Sequence, residues 1–132
     1  MPLVKFNVPQ TLSKERVAEL CDAVHEALVA NAKVPADDRF HVVHRLEASS
    51  LLIDPAFMGI KRGADAVIVE ITFRMGRTQP QKQALFSGIA RLAEAKAGIH
   101  PEDVMIVLTE NTSLDWSFGS GVAQYAEAPV SI

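Results

Sequence analysis

The chain has 132 residues, a formal net charge of −3, 48% hydrophobic residues and 22% charged residues, the balance of one globular domain or of a tight pair of small related units. That charge leaves no electrostatic footprint for nucleic acid, and no apolar run approaches the roughly 20 residues of a membrane span, so neither partner is expected. Cys21 is the only cysteine and falls on the apolar side of a helical pattern, so it reads as a buried, inert thiol. The N-terminal MPLVKFNVPQ carries neither the charged nor the long apolar region of a secretion signal, and a cytoplasmic location is the expectation.

In chain order, Leu3 to Val8 alternates apolar and polar residues and reads as a strand. Ser13 stands where a helix N-cap belongs, followed by Lys14, Glu15 and Arg16. Val17, Leu20, Cys21, Val24, Leu28 and Ala32 then recur at spacings of three and four, which buries one face of a helix. Pro35 stops that pattern, and Arg39 to Val43 reads as a second strand.

A shift of 65 positions repeats the order. Val67 to Phe73 is a strand, Thr78 an N-cap, and Pro80 suits a first helical turn. Leu85, Phe86, Ile89, Leu92 and Ala97 keep helical spacing up to Gly98, and Val104 to Leu108 is a strand again. The chain therefore reads as a single domain, 1–132, built from two β-α-β units (about 2–46 and 66–110) plus a C-terminal segment, 111–132. Glu47 to Ala64, with Pro55, Gly59 and Gly63, links the units. The expected fold class is α/β, of the α+β kind: right-handed crossovers put both helices on one face of a four-stranded mixed sheet. The nearly continuous Val67, Ile68, Val69 and Ile71 make the uncovered face too apolar to stay wet, so self-association through that face is expected.

Chemistry-bearing residues gather in a few places. Pro2 becomes a chain terminus if Met1 is removed; its nitrogen is then a secondary amine able to give or take a proton near neutral pH. Arg74 and Arg77 flank Met75 and Gly76 just ahead of the Thr78 cap, where two guanidinium forks suit a carboxylate. Their repeat equivalents are Pro9 and Leu12, so neither arginine is expected to be demanded by the fold. Asp38 in PADDRF either polarises water or a carbonyl or caps a turn, and its equivalent Asp103 in HPEDV has the same setting. Trp116 and Phe118 in DWSFGSG suit an apolar lid over a small ligand or a plug at a subunit interface. His25 and His41 are single residues on helix and strand patterns, His44 falls just past the strand, and His100 stands in the turn before Asp103. None has metal-ligand spacing, and no phosphate loop, serine elbow or dinucleotide fingerprint is present, so neither metal nor cofactor is expected.

The stretches PLVKF, VPADDRFHVV and ENTSLDWSFGSG, in that order, resemble the tautomerase superfamily, and within it malonate semialdehyde decarboxylase-like proteins, over nearly the whole chain. The resemblance implies Pro2 as the catalytic amine and Asp38 as the group assisting water or the carbonyl. It further implies Arg74 and Arg77 as the clamp on a substrate carboxylate, and Trp116, Phe118 and Tyr125 as an apolar wall. It implies a homotrimer and a small oxo-carboxylate substrate, converted by keto–enol tautomerisation or decarboxylation. The two arginines here stand in an R-x-x-R spacing wider than the decarboxylase pattern and similar to the cis-3-chloroacrylic acid dehalogenase branch. A hydratase of that kind, or a non-enzymatic binding protein on the same fold, is the alternative.

Overall fold

The computed structural model describes residues 1–126; the remainder of the C-terminal segment, 127–132, lies outside the described residues. The elements are β1 (Pro2–Pro9), α1 (Lys14–Ala32), β2 (Phe40–Leu46), β3 (Val67–Arg74), α2 (Gln79–Ala97) and β4 (Val104–Asn111). They form one four-stranded sheet in the order β2-β1-β3-β4. Within each unit the strands are parallel, and the units meet where β1 pairs antiparallel with β3.

Both helices begin as their sequences dictate. The Ser13 side chain accepts from the Arg16 N–H at α1, and Thr78 with Gln81 closes a reciprocal capping box at α2. Gly98 ends α2 in the left-handed conformation. At α1 that position is taken by Lys33, at φ 56°, so the stop lies two residues before Pro35 and falls to a residue with no glycine-like freedom.

Alternation along the strands decides what each face meets. Val4, Phe6 and Val8 on β1, and Val67, Val69, Ile71 and Phe73 on β3, are buried with Leu20, Val24, Leu28, Leu85 and Ile89 of the helices in one core. The open face is less apolar than the sequence leads one to expect, because three of the four residues in Val67–Ile71 that suggested it point to the helices. Ile68, Glu70 and Thr72 face outward instead. At its centre Asn7 Nδ2 donates to Glu70 Oε2 at 2.8 Å, and His44 Nδ1 lies 3.1 Å from Asn7 Oδ1. Phe40, Val42, Met105 and Val107 flank this polar row as exposed apolar side chains on the outer strands. His44 therefore belongs to β2, which runs to Leu46 rather than ending at Val43.

The linker is tied to the second unit by a repeat-equivalent aspartate. Asp103 is buried, and its Oδ1 accepts from the Gly63 N–H at 2.7 Å. Asp103→Ala leaves that N–H without its acceptor and should cost about 1–3 kcal/mol. Asp103→Asn keeps an oxygen acceptor and should cost less; urea midpoints of the two variants and the parent check this order.

Candidate active site

The antiparallel seam sets Pro2 opposite Phe73, one residue before Arg74. β2 begins beside it, with Leu3 of β1 in register with both Phe40 and Thr72. One end of the sheet thus gathers the start of β1, the turn before β2, the end of β3 and the segment that follows β4.

Met1 is buried, and its terminal ammonium donates to Asp38 Oδ2. The other oxygen, Asp38 Oδ1, is buried with no hydrogen-bond partner. Asp38 therefore lies against the amine end of the chain, as Asp103 lies against the segment entering β3. With Met1 attached, Pro2 is an amide within β1 and the space before it is filled.

Arg74 is the last residue of β3 and projects to the open-face side, its guanidinium carbon 5.8 Å from the Tyr125 ring centroid. Tyr125 meets Phe118 edge-on at 5.2 Å, Phe118 stacks on Trp116 at 5.7 Å, and Phe118 also packs 5.6 Å from Phe40. This wall is built from local bonds. Trp116 Nε1 donates to Asn111 Oδ1 at 2.8 Å, and the Phe118 N–H donates to Gln124 Oε1 at 2.9 Å. Gly119 turns the chain between them at φ 139°, a conformation closed to other residues. Phe40 is the aromatic that sequence reasoning missed. Its signal was its phase: it stands on the open face at the start of β2, two residues after Asp38.

Arg77 lies differently from the expectation. Gly76, at φ 124°, swings the chain back over the helix layer. Arg77 Nε and one terminal nitrogen then donate to Ala32 O, the last carbonyl of α1, at 3.3 and 3.0 Å, and the other terminal nitrogen donates to Arg74 O at 2.9 Å. Its guanidinium lies over the Phe73 ring at 4.4 Å. Burial and the nearby Arg74 lower its pKa. The fold does use this arginine: it caps α1 as Arg16 caps α2, through Ala97 O and Gly98 O at 2.9 Å each. Arg77 keeps unused N–H edges on a cavity of about 490 Å³ lined also by Lys33, Arg74, Gln81, Thr112 and Ser113. Lys33 is a third cation on this wall and one that sequence reasoning missed, since it reaches the wall only through the left-handed end of α1. Neither Pro2 nor Asp38 lines that cavity.

The first unit has a counterpart at the opposite end of the sheet, a cavity of about 420 Å³ lined by Pro9, Gln10, Thr11, Glu47 and Ala48 among others. These residues stand where Arg74, Met75, Gly76, Thr112 and Ser113 stand in the second unit. The position of Pro2 is taken there by Val67, whose nitrogen is a chain amide, so only one end of the sheet offers an amine.

A family profile described as Tautomerase enzyme matches residues 38–119, and a second of the same description matches residues 2–58. The probable tautomerase YusQ of Bacillus subtilis is 33% identical over 127 residues, 96% of this chain and 100% of that protein. The probable tautomerase YrdN of the same organism is 30% identical over 125 residues, 95% of this chain and 96% of that protein. The chain belongs to the tautomerase family of enzymes. Among solved structures, FG41 malonate semialdehyde decarboxylase inhibited by 3-bromopropiolate superposes with a TM-score of 0.89 at 35% identity, covering 98% of each chain. A second malonate semialdehyde decarboxylase, solved as wild type, mutant and inactivated forms, gives 0.88 at 31% identity over 93% of this chain and 95% of that one. A fused 4-OT trimer at 22% identity shares the fold, with a TM-score of 0.76 over 96% of this chain and 99% of that one. Among the described residues no helix is long and apolar enough to cross a membrane.

Behind Asp38, the His41 ring packs edge-on to Phe6 at 4.9 Å and sits 6.2 Å from the His25 ring. Burial, with help from Arg39, pushes the His41 pKa down to about 4. The unfolded chain then binds a proton that the folded chain refuses between its ordinary value of 6.5 and about 4, so stability falls as pH drops through that window. Urea midpoints at pH 7 and pH 5 should show this loss, and His41→Phe should flatten it; an unchanged slope in the variant would remove His41 as its source.

Proposed function

We propose that the protein, once Met1 is removed, uses the Pro2 amine for acid–base chemistry on a small 3-oxo carboxylate of the malonate semialdehyde type, with keto–enol tautomerisation at the same site. The observation that carries this reading is the contact between the terminal ammonium and Asp38, on the same end of the sheet as Arg74 and the aromatic wall. Removal of Met1 moves the terminus by one residue, about 3.8 Å, and vacates the buried volume in front of Pro2. The terminal ammonium donates to Asp38 while Met1 is attached, and this reading takes Pro2 as a cation in the same role.

On this reading Arg74 binds the substrate carboxylate and the Pro2 ammonium donates a hydrogen bond to the 3-oxo oxygen. The bond from the carboxylate carbon to C2 breaks, and CO2 leaves. Its electron pair moves toward the carbonyl as an enolate, stabilised by Pro2, and a proton then returns to C2. The aromatic wall of Phe40, Trp116, Phe118 and Tyr125 favours this step, because a charged carboxylate becomes neutral CO2 in an apolar setting. With Pro2 neutral, the same nitrogen removes a proton α to a carbonyl, which is tautomerisation. The unpartnered Asp38 Oδ1 favours a second reading, a hydratase in which that oxygen orients water; the R-x-x-R spacing agrees with it.

The working unit on this reading is a homotrimer, in which the open faces of three copies cover Phe40, Val42, Met105 and Val107. The two arginines separate cleanly by experiment. Arg74→Ala should lower kcat/KM about 100-fold and shift stability by no more than about 0.5 kcal/mol. Arg77→Ala should also lose about 1–3 kcal/mol of stability as the Ala32 carbonyl loses its donor. Intact mass establishes whether Met1 is absent, and pH–rate profiles of the parent and Pro2→Ala on malonate semialdehyde and phenylenolpyruvate then test the amine. Equal rates for the two proteins would remove Pro2 from the mechanism.

A further inference from the structure

Asp38 is useful only if something holds it, and the hold comes from one face of α1. The turn before β2 is closed by the Asp38 N–H donating to Pro35 O at 3.0 Å. On one side of Asp38, the His25 Nε2 lies 2.8 Å from Ala36 O. A carbonyl only accepts, so Nε2 carries the hydrogen and donates. The other ring nitrogen, Nδ1, is buried and unpartnered. On the other side of Asp38, Arg39 pairs with Asp22 at 2.9 Å. Asp22 and His25 are three residues apart on α1 and so share a face. The two grip the chain at 36 and 39 and leave Asp38 between them, with Oδ2 on the terminal amine and Oδ1 free.

We propose that His25 is a positioning residue: its hydrogen bond to the Ala36 carbonyl fixes the Pro35–Asp38 turn so that the Asp38 carboxylate meets the N-terminal amine, with the Asp22–Arg39 pair as a brace. The proposal rests on the role for Asp38 and Pro2 given above. The His41 ring of β2 lies 6.2 Å from the His25 ring, and the Asp22–Arg39 pair joins the same face of α1 to the start of β2. A ring charge is not required, because what is used is one N–H aimed at one carbonyl. A glutamine reaches as far as Nε2 and offers an N–H; an asparagine is too short and an alanine offers nothing.

The test uses the full chain with Met1 removed, checked by mass, in the parent and in His25→Gln, His25→Asn, His25→Ala and Asp38→Asn. Two readouts are taken: kcat and KM on malonate semialdehyde, and the titration of the Pro2 amine followed by NMR on protein labelled with nitrogen-15 proline. His25→Ala and His25→Asn should each lose about ten-fold in kcat, with KM held within about two-fold because carboxylate binding rests on Arg74. Their Pro2 titration should move toward that of Asp38→Asn. His25→Gln should recover both properties, which a merely structural loss would not explain. If His25→Ala fails to fold, the asparagine and glutamine pair carries the same comparison. Parent-like kcat and titration in His25→Asn, or equal losses in the asparagine and glutamine variants, overturn the proposal. If Asp38→Asn itself keeps the parent's turnover and titration, the functional reading fails and the positioning role falls with it. If Asp38→Asn collapses while His25→Asn does not, the positioning role alone is wrong.

Discussion

The antiparallel pairing of β1 with β3 is the constraint on which the rest of the molecule depends. Each β-α-β unit is handed by its own crossover, and nothing inside a unit says how it should join the other. Pairing β1 against β3 head to tail puts Pro2 opposite Phe73. The start of the chain, the turn at Asp38, the end of β3 and the segment after β4 then converge at one end of the sheet. Parallel pairing would carry Pro2 the length of a strand away, about 20 Å at 3.3 Å per residue, and leave the arginines without the amine. The chemistry therefore follows from a sheet seam, stabilised by the fully buried Val4, Phe6, Val69 and Ile71.

The two units carry similar devices, some from repeat-equivalent residues and some not, and use them unequally. Asp103 receives the Gly63 N–H where the chain enters β3, and Asp38 receives the terminal ammonium where the chain enters β1. One is sealed into a backbone hydrogen bond; the other keeps an oxygen free. Arg16 and Arg77 each close the carboxyl end of the opposite helix. Arg16 spends its remaining edge on Asp65 at 3.0 Å, while Arg77 keeps an edge on the cavity beside Arg74. Covalent continuity enforces the asymmetry. Val67 must be an amide because the linker precedes it, so only the first unit presents a nitrogen that processing can release.

Much of this was legible from residues alone, for identifiable reasons. The helices announced themselves because capping and 3.6-residue periodicity are local, and Ser13, Thr78 and Gly98 do what their types predict. The repeat gave the order of elements, and Pro2, Asp38, Arg74, Trp116, Phe118 and Tyr125 lie at one end of the sheet. Facing was harder. A run such as Val67–Ile71 does not say which of its members points to the helices, and only register with β1 assigned Ile68 outward. Arg77 was illegible as a cap because its acceptor, Ala32 O, lies 45 residues away in sequence. Lys33 and Phe40 were passed over for the same reason: each matters through a neighbour that pattern reading does not supply.

In the function proposed above, the electrostatics of this end give Asp38 a reason to be restrained. The chain is acidic overall, yet Lys33, Arg74 and Arg77 share one cavity wall, a local field that draws an anion to the β3–α2 loop. On the proposed reading, a carboxylate on a loose turn at this end of the sheet would itself be drawn to the arginines. It would then neutralise the clamp and abandon the amine, disabling both halves of the site at once. On that proposal the hydrogen bond to the Ala36 carbonyl and the side-chain pair at Arg39 oppose that collapse from either side of Asp38. Arg77 is restrained in the same sense, since three of its N–H groups are committed to main-chain carbonyls. Opposite charges held apart by such anchors suit the proposed substrate, which carries a carboxylate at one end and a carbonyl at the other. In the function proposed above, the substrate is the link between Arg74 and the amine, and completes a charge arrangement that the fold keeps open.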